Sequence, residues 1–293
     1  MTGLGAILTA MVTPFDADGR VDEGATVRLA RHLVDHGSDG IVVCGSTGEA
    51  PTLTDDEQIG LISLVVAEVG ERASVVAGAG SNDTRHAVEL TQRATDAGAH
   101  GILSVTPYYN RPNRRGLISH FGEVARATHR PVILYNIPSR TGLDMPNDLL
   151  AELARIEGVE GVKQARFEDL ELIDGLELYA GDDDRLCEVL ELGGAGGICV
   201  ASHIVGEEMH RMVDEPERRR EIDETLRAMY RALSVTVNPI PIKAALNLLG
   251  HGVGGLRLPL VDADEEQLAT VRDALEDHGL LTAESPRGAP AQA

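Results

Sequence analysis

The sequence predicts an α/β protein, a (β/α)8 TIM barrel with a C-terminal helical extension, and three observations carry that prediction. Eight short apolar runs, rich in β-branched residues and bounded by glycine or proline, recur along the first two thirds of the chain. Segments with helical periodicity lie between them. The runs are apolar almost throughout rather than alternating with polar residues, as strands covered on both faces are.

The runs are Ala6–Val12, Gly40–Ser46, Ser74–Gly80, Gly101–Pro107, Pro131–Ile137, Val159–Ala165, Leu176–Gly181 and Gly196–Ala201. Between the first two, Asp22–His36 places Val27, Ala30, Leu33 and Val34 on one helical face. Asp55–Val69 does the same with Ile59, Ile62, Val65 and Val66, and Thr54 with Glu57 forms the Thr-x-x-Glu signature of a capping box. Pro146 opens a further helix. After about residue 216 strands stop: 217–237, 242–249 and 264–278 read as three successive helices. The chain therefore divides into a barrel at 1–216 and a helical region at 217–283, with a tail at 284–293 whose Pro286, Gly288 and Pro290 predict disorder.

At 293 residues with 43% hydrophobic composition, the chain has the length and apolar content of one barrel domain. Its 26 Lys+Arg against 47 Asp+Glu give a formal net charge of −21. Nucleic acid and anionic membrane surfaces both require clustered positive charge, so neither is an expected partner. The three cysteines, Cys44, Cys187 and Cys199, are odd in number, and no signal peptide or long apolar run accompanies them, which predicts a reducing cytoplasm. Cys44 and Cys199 read as small buried strand residues. His32 and His36 stand at helical i, i+4 spacing without a metal-binding motif, so they read as a solvated helix face, and no metal or cofactor is expected.

Only two of the 26 cationic side chains are lysines, Lys163 and Lys243. Lys163 sits in a run that reads as a buried strand. Arginine cannot replace lysine as a nucleophile, because guanidinium stays protonated whereas burial can push an ammonium toward the amine. A Schiff-base lysine is the chemical reading; a snorkelling or surface lysine is the structural one.

Barrel active sites form at the carboxyl ends of the strands, which selects a short set of companions. Strand 2 ends in Gly45-Ser-Thr-Gly-Glu49, where Ser46, Thr47 and backbone amides suit a carboxylate; an ordinary turn whose hydroxyl caps the next helix is the alternative. Strand 5 carries Tyr135 and runs into Arg140, and strand 6 carries Lys163. Neighbouring strands bring the phenol and the amine toward one cavity, and an amine attacking a keto acid needs such a proton shuttle.

Six segments extend this pattern: Gly45-Ser-Thr-Gly-Glu49, Thr106-Pro-Tyr-Tyr-Asn-Arg-Pro112, Tyr135-Asn-Ile-Pro-Ser-Arg-Thr-Gly142, Val162-Lys163, Gly181-Asp-Asp183, and Asn238-Pro-Ile-Pro-Ile-Lys243 followed by Leu256-Arg-Leu-Pro-Leu260. Together they resemble the dihydrodipicolinate synthase family of the pyruvate-dependent class I aldolase superfamily, over about residues 5–281. The resemblance implies that Lys163 forms an imine with pyruvate while Tyr135 donates and accepts protons. It implies that Thr47 links Tyr135 to Tyr109 of a neighbouring subunit and that Ser46 and Thr47 hold the pyruvate carboxylate. Arg140 would bind the carboxylate of aspartate semialdehyde, the backbone carbonyl of Ile198 would approach the site, and the assembly would be a homotetramer built as a dimer of dimers. Lys243, in the helical extension, reads as a structural ion-pair partner.

Some positions depart from the family pattern. Ser46 replaces the usual threonine, and Gln164 and Arg166 stand where Lys-Glu-Ala-Thr is typical. In lysine-inhibited relatives an effector pocket would use an acidic residue at the position of His86, with Asn82 and Tyr108. The missing carboxylate predicts weak or absent inhibition by lysine. Rival readings are an N-acetylneuraminate lyase or a 2-keto-3-deoxysugar aldolase, which share the lysine and tyrosine, and a non-catalytic binding barrel. Arg140 in Pro-Ser-Arg-Thr-Gly and the Asn-Arg-Pro after the paired tyrosines favour the synthase.

Overall fold

A computed structural model describes residues 2–281. Eight parallel strands close into a barrel in sequence order: β1 (Ile7–Ala10), β2 (Gly40–Val43), β3 (Ser74–Gly78), β4 (Gly101–Val105), β5 (Val132–Asn136), β6 (Val159–Gln164), β7 (Glu177–Ala180) and β8 (Gly196–Cys199). The last strand closes on the first through Leu8 opposite Ile198. Gly196 permits that closure, because its φ of +154° and its approach to the Ala6 carbonyl leave no room for a Cβ, which would lie 1.9 Å from that oxygen.

Alternation along the strands separates two apolar layers. Leu8, Val42, Val76, Leu103, Ile133, Tyr135, Tyr179 and Ile198 point inward and fill the barrel. Ile7, Ile41, Val75, Ile102, Val132, Leu134, Val162 and Leu178 point outward against the helices. Each fully buried Leu, Ile or Val contributes roughly 1.5–3 kcal/mol, so the two layers dominate stability. Alternation also decides the direction of the lysine. Val162 belongs to the outer layer, and Lys163 therefore faces in, beside Tyr135 and Tyr179 by strand register.

The helices around the barrel are α1 (Glu23–Asp35), α2 (Asp55–Val69), α3 (Thr84–Asp96), α4 (Arg114–Arg126), the single turn α5 (Pro138–Thr141), α6 (Asn147–Leu153), α7 (Leu186–Leu192) and α8 (Ser202–Asp214). Helix α2 starts at the predicted capping box, with both Thr54 and Glu57 bonds made. The strict alternation fails once: 165–176 between β6 and β7 contains no helix. Four acidic residues in this short segment, Glu168, Asp169, Glu171 and Asp174, work against an apolar helical face. Arg166 instead folds the loop back on itself, pairing with Asp144, Glu168 and Asp169.

Beyond the barrel lie α9 (Arg219–Leu233), α10 (Ile240–Leu248) and α11 (Glu265–Asp277). The expected helix over 217–237 is shorter at both ends, and Asn238-Pro239 leads the chain into α10. Helix α9 packs on α8, and α10 and α11 pack on each other. The tail expected to be disordered at 284–293 lies outside the described residues.

Two sequence expectations need correction here. Cys44 lies one residue beyond β2 with a positive φ of +59°, still buried under the next turn, whereas Cys199 is within β8 as expected. His32 is half-buried rather than solvated: its ring lies tilted against His36 at 4.1 Å and against His251 at 4.4 Å between centroids. The loop after α10 supplies His251, a long-range neighbour that helical periodicity within α1 cannot reveal.

Candidate active site

The carboxyl ends of β2, β5, β6, β7 and β8 surround a cavity of ≈ 600 Å³ that contains Lys163, Tyr135, Ser46, Thr47 and Arg140. Lys163 is only 5% exposed, and its Nζ stands 4.4 Å from the centre of the Tyr135 ring. The strand register that pairs Tyr135 with Lys163 produces this proximity, as neighbouring strands predicted. Arg140 reaches the cavity from the turn α5 and is anchored by a hydrogen bond from Nη2 to the Asn238 carbonyl, 3.2 Å.

Part of this cavity was not foreseen. Asn238, from the connection between α9 and α10, donates from Nδ2 to Thr47 Oγ1 at 2.8 Å. A hydroxyl that accepts this bond still has its own proton to donate into the cavity. Tyr230 of α9 also lines the cavity at 4% exposure, and its hydroxyl finds no partner among the described residues. The signals available were thin: an Asn-Pro step after a helix, and a tyrosine on an amphipathic face.

The end of β7 contributes Gly181, Asp182, Asp183 and Asp184 to the same cavity. Asp183 Oδ1 accepts backbone N–H groups from Val200 and Ala201 at 2.7 and 3.1 Å, tying β7 to β8. Burial pushes the Asp183 carboxyl up to about 6 against those two bonds. The Asp182 carboxyl is also raised, first by desolvation, with the charges of Lys163 and Arg140 opposing.

Ile198 faces the barrel interior in the same cluster as Tyr135 but does not line the cavity, whereas Val200 does. Tyr109 is not brought to the cavity within one chain: it is 90% exposed and held at a φ of +72°. A non-glycine residue at that backbone conformation stores about 1–3 kcal/mol of strain.

A second cavity of ≈ 510 Å³ shares Ser46, Tyr135 and Arg140 with the first and holds His86 and Tyr108. Asn82 stays outside its lining, and its carbonyl accepts from Asn110 at 2.8 Å. A carboxylate does stand in this cavity, supplied by Asp55 at the start of α2, 3.0 Å from His86 Nε2. The sequence expectation considered only the position of His86 itself and missed this contact across 31 residues.

Lys243 is 1% exposed and pairs with Glu49 at 2.7 Å while donating to the Gly255 carbonyl at 2.6 Å. Glu49 also accepts from the Arg257 backbone N–H at 3.0 Å. The structural role expected for Lys243 is what its contacts describe. They fasten the helical extension to the loop that carries Ser46 and Thr47.

A closed parallel barrel with an amine, a phenol, hydroxyls and a guanidinium gathered at the carboxyl ends of its strands defines a (β/α)8-barrel enzyme. More specifically, the chain belongs to the dihydrodipicolinate synthetase family, whose model matches residues 3–278. It is 44% identical over 288 residues to the 4-hydroxy-tetrahydrodipicolinate synthase of Heliobacterium modesticaldum, covering 94% of this chain and 96% of that protein. Among solved structures it resembles the enzyme from Cyanidioschyzon merolae with lysine bound, with a TM-score of 0.91, 40% identity, and 95% and 99% coverage of the two chains. It also resembles the Acinetobacter baumannii synthase complexed with pyruvate, with a TM-score of 0.91, 35% identity, and 95% and 100% coverage. No helix among the described residues is long and apolar enough to cross a membrane.

Proposed function

We propose that this protein condenses pyruvate with L-aspartate 4-semialdehyde to 4-hydroxy-tetrahydrodipicolinate, the committed step toward diaminopimelate and lysine. The observation that carries the reading is Lys163, a buried amine 4.4 Å from the Tyr135 ring in a cavity that also contains Arg140.

Lys163 Nζ attacks the pyruvate ketone, and Tyr135 moves the protons needed to expel water and form the imine. Ser46 and Thr47 hold the pyruvate carboxylate, with Asn238 orienting the Thr47 hydroxyl. The imine then acts as the electron sink for loss of a methyl proton, and the resulting enamine attacks the aldehyde. Arg140 holds the aldehyde's carboxylate through its bidentate fork. The Ile198 carbonyl approaches the site from β8. Thr47 was expected to relay protons from Tyr135 to Tyr109 of a partner subunit. Ser46 is an alternative hydroxyl for that relay, since it lines both cavities together with Tyr135.

The exposure and strain of Tyr109 support a partner that covers it, as in a homotetramer made of two dimers. A cytoplasmic location accords with buried, unpaired cysteines. The second cavity, with His86, Tyr108 and neighbouring Asn82, is the candidate effector site.

Turnover of pyruvate with aspartate semialdehyde, N-acetylmannosamine and glyceraldehyde tests the assignment. Aspartate semialdehyde is expected to react fastest; faster turnover of a sugar aldehyde overturns the synthase reading in favour of a sugar-acid aldolase.

A further inference from the structure

We propose that Asp182 recognises the amino group of the aldehyde substrate and accepts the proton that this group must lose before ring closure. The proposal rests on the condensation reading above and adds a residue and a step to it.

The substrate carries a carboxylate and an ammonium on the same carbon. Arg140 supplies the complement to the first. A site that recognises both needs an anion close to Arg140, and the cavity has one end lined by Asp182, Asp183 and Asp184. Their geometries separate them. Asp183 has an oxygen occupied by the backbone N–H groups of Val200 and Ala201, which makes it a structural tie between strands. Asp184 responds to Arg185 and Arg227, its carboxylate 4.0 Å from Arg185 Nε and its carbonyl accepting from Arg227 Nη1 at 3.2 Å. Asp182 makes no side-chain hydrogen bond or salt bridge among the described residues, yet it feels both Lys163 and Arg140. It is therefore the free carboxylate in the cavity that also holds the imine-forming amine and the carboxylate-binding guanidinium.

The same cavity supplies a second observation. The Tyr230 hydroxyl, in a residue 4% exposed, lines this cavity with no partner among the described residues. A buried polar group left unpaired is destabilising, which a polar ligand at this end relieves. The polarity of the aspartate end is thus built for a substrate with more than a carboxylate.

Recognition leads directly to chemistry. After carbon–carbon bond formation the substrate nitrogen is an ammonium and has no lone pair. Asp182 takes one proton, giving a neutral amine and a carboxylic acid. The nitrogen lone pair then forms a bond to the iminium carbon. One remaining nitrogen proton passes to Lys163 Nζ, the carbon–Nζ bond breaks, and Lys163 leaves as a neutral amine while the product departs as a protonated cyclic imine. Desolvation of the Asp182 carboxyl raises its proton affinity in the direction this step needs.

The test compares aspartate semialdehyde with succinic semialdehyde, which keeps the carboxylate and aldehyde but lacks the amine, in native protein and in Asp182→Asn. Borohydride trapping of pyruvate at Lys163 is measured on both, as a check on folding and on the first half-reaction. Native protein loaded with pyruvate is expected to consume aspartate semialdehyde faster than succinic semialdehyde in single-turnover measurements, and Asp182→Asn to reduce that preference by roughly 10- to 150-fold while still trapping pyruvate. Asp182→Glu is expected to recover part of it. An unchanged preference in a variant that traps pyruvate overturns the role of Asp182. Failure of native protein to trap pyruvate overturns the condensation reading itself, and is distinguishable because it does not depend on the variant.

Discussion

Replacing Lys243 by methionine separates the two lysines of this chain by their physics. The ammonium is 1% exposed and lies against Glu49 Oε1, the Gly255 carbonyl and the face of Phe15. Methionine keeps much of the volume but leaves Glu49 buried, with the Arg257 backbone N–H as its remaining hydrogen-bond donor. Breaking a buried pair in this way costs about 3–5 kcal/mol. For a chain of this size that corresponds to a fall of roughly 5–8 °C in melting temperature. Removing the orphaned charge as well, in Glu49→Gln with Lys243→Met, is expected to restore about half of the loss, since the penalty is mostly that of an unpaired buried carboxylate. Thermal and urea unfolding of native protein and the two variants measure this. Lys243→Met protein that remains folded still traps pyruvate at Lys163. A shift under about 2 °C, or a double variant less stable than the single by the full cost of another broken pair, refutes the reasoning.

Other outcomes follow from single sites. Gly196→Ala places a methyl 1.9 Å from the Ala6 carbonyl at a φ of +154°, so it is expected to prevent barrel closure and yield little soluble protein; normal expression with a native melt contradicts this. Burial holds His203 at about 4 in the folded state, where Nε2 accepts from the Val12 N–H. The unfolded chain binds its proton near the ordinary 6.5, so stability falls as pH drops from about 6.5 to 4, by roughly 3 kcal/mol at the low end. Asp183, raised to about 6, acts in the opposite sense over part of that range. The histidine contribution is therefore read as the difference in urea midpoint between native protein and His203→Gln at pH 7 and pH 4.5; equal pH slopes contradict it. Lysine inhibition is expected to be weak, because Asp55 is already engaged by His86, and His86→Ala is expected to strengthen it. Micromolar inhibition of native protein overturns that prediction.

Much of the site was legible because strand periodicity and turn chemistry are local. The run Val159–Ala165 identifies β6, and alternation within it turns Lys163 toward Tyr135. Contacts between distant segments were not legible. Asn238 meets Thr47 across 191 residues, and His32 meets His251 because a loop after α10 folds over α1. The loop at 165–176 differs for another reason: barrel regularity predicts a crossover helix, but the segment is rich in acidic residues, two of which, Glu168 and Asp169, pair with Arg166. Lys243 was assigned to structure by its position in the helical extension, yet its partner Glu49 belongs to the very loop that carries the two hydroxyls.

Borohydride trapping followed by peptide mass analysis tests the central claim most directly. With pyruvate present, the account predicts one reduced pyruvate adduct per chain on the peptide containing Lys163, lost in Lys163→Ala and retained in Lys243→Met. An adduct on Lys243, or no adduct on folded protein, contradicts it.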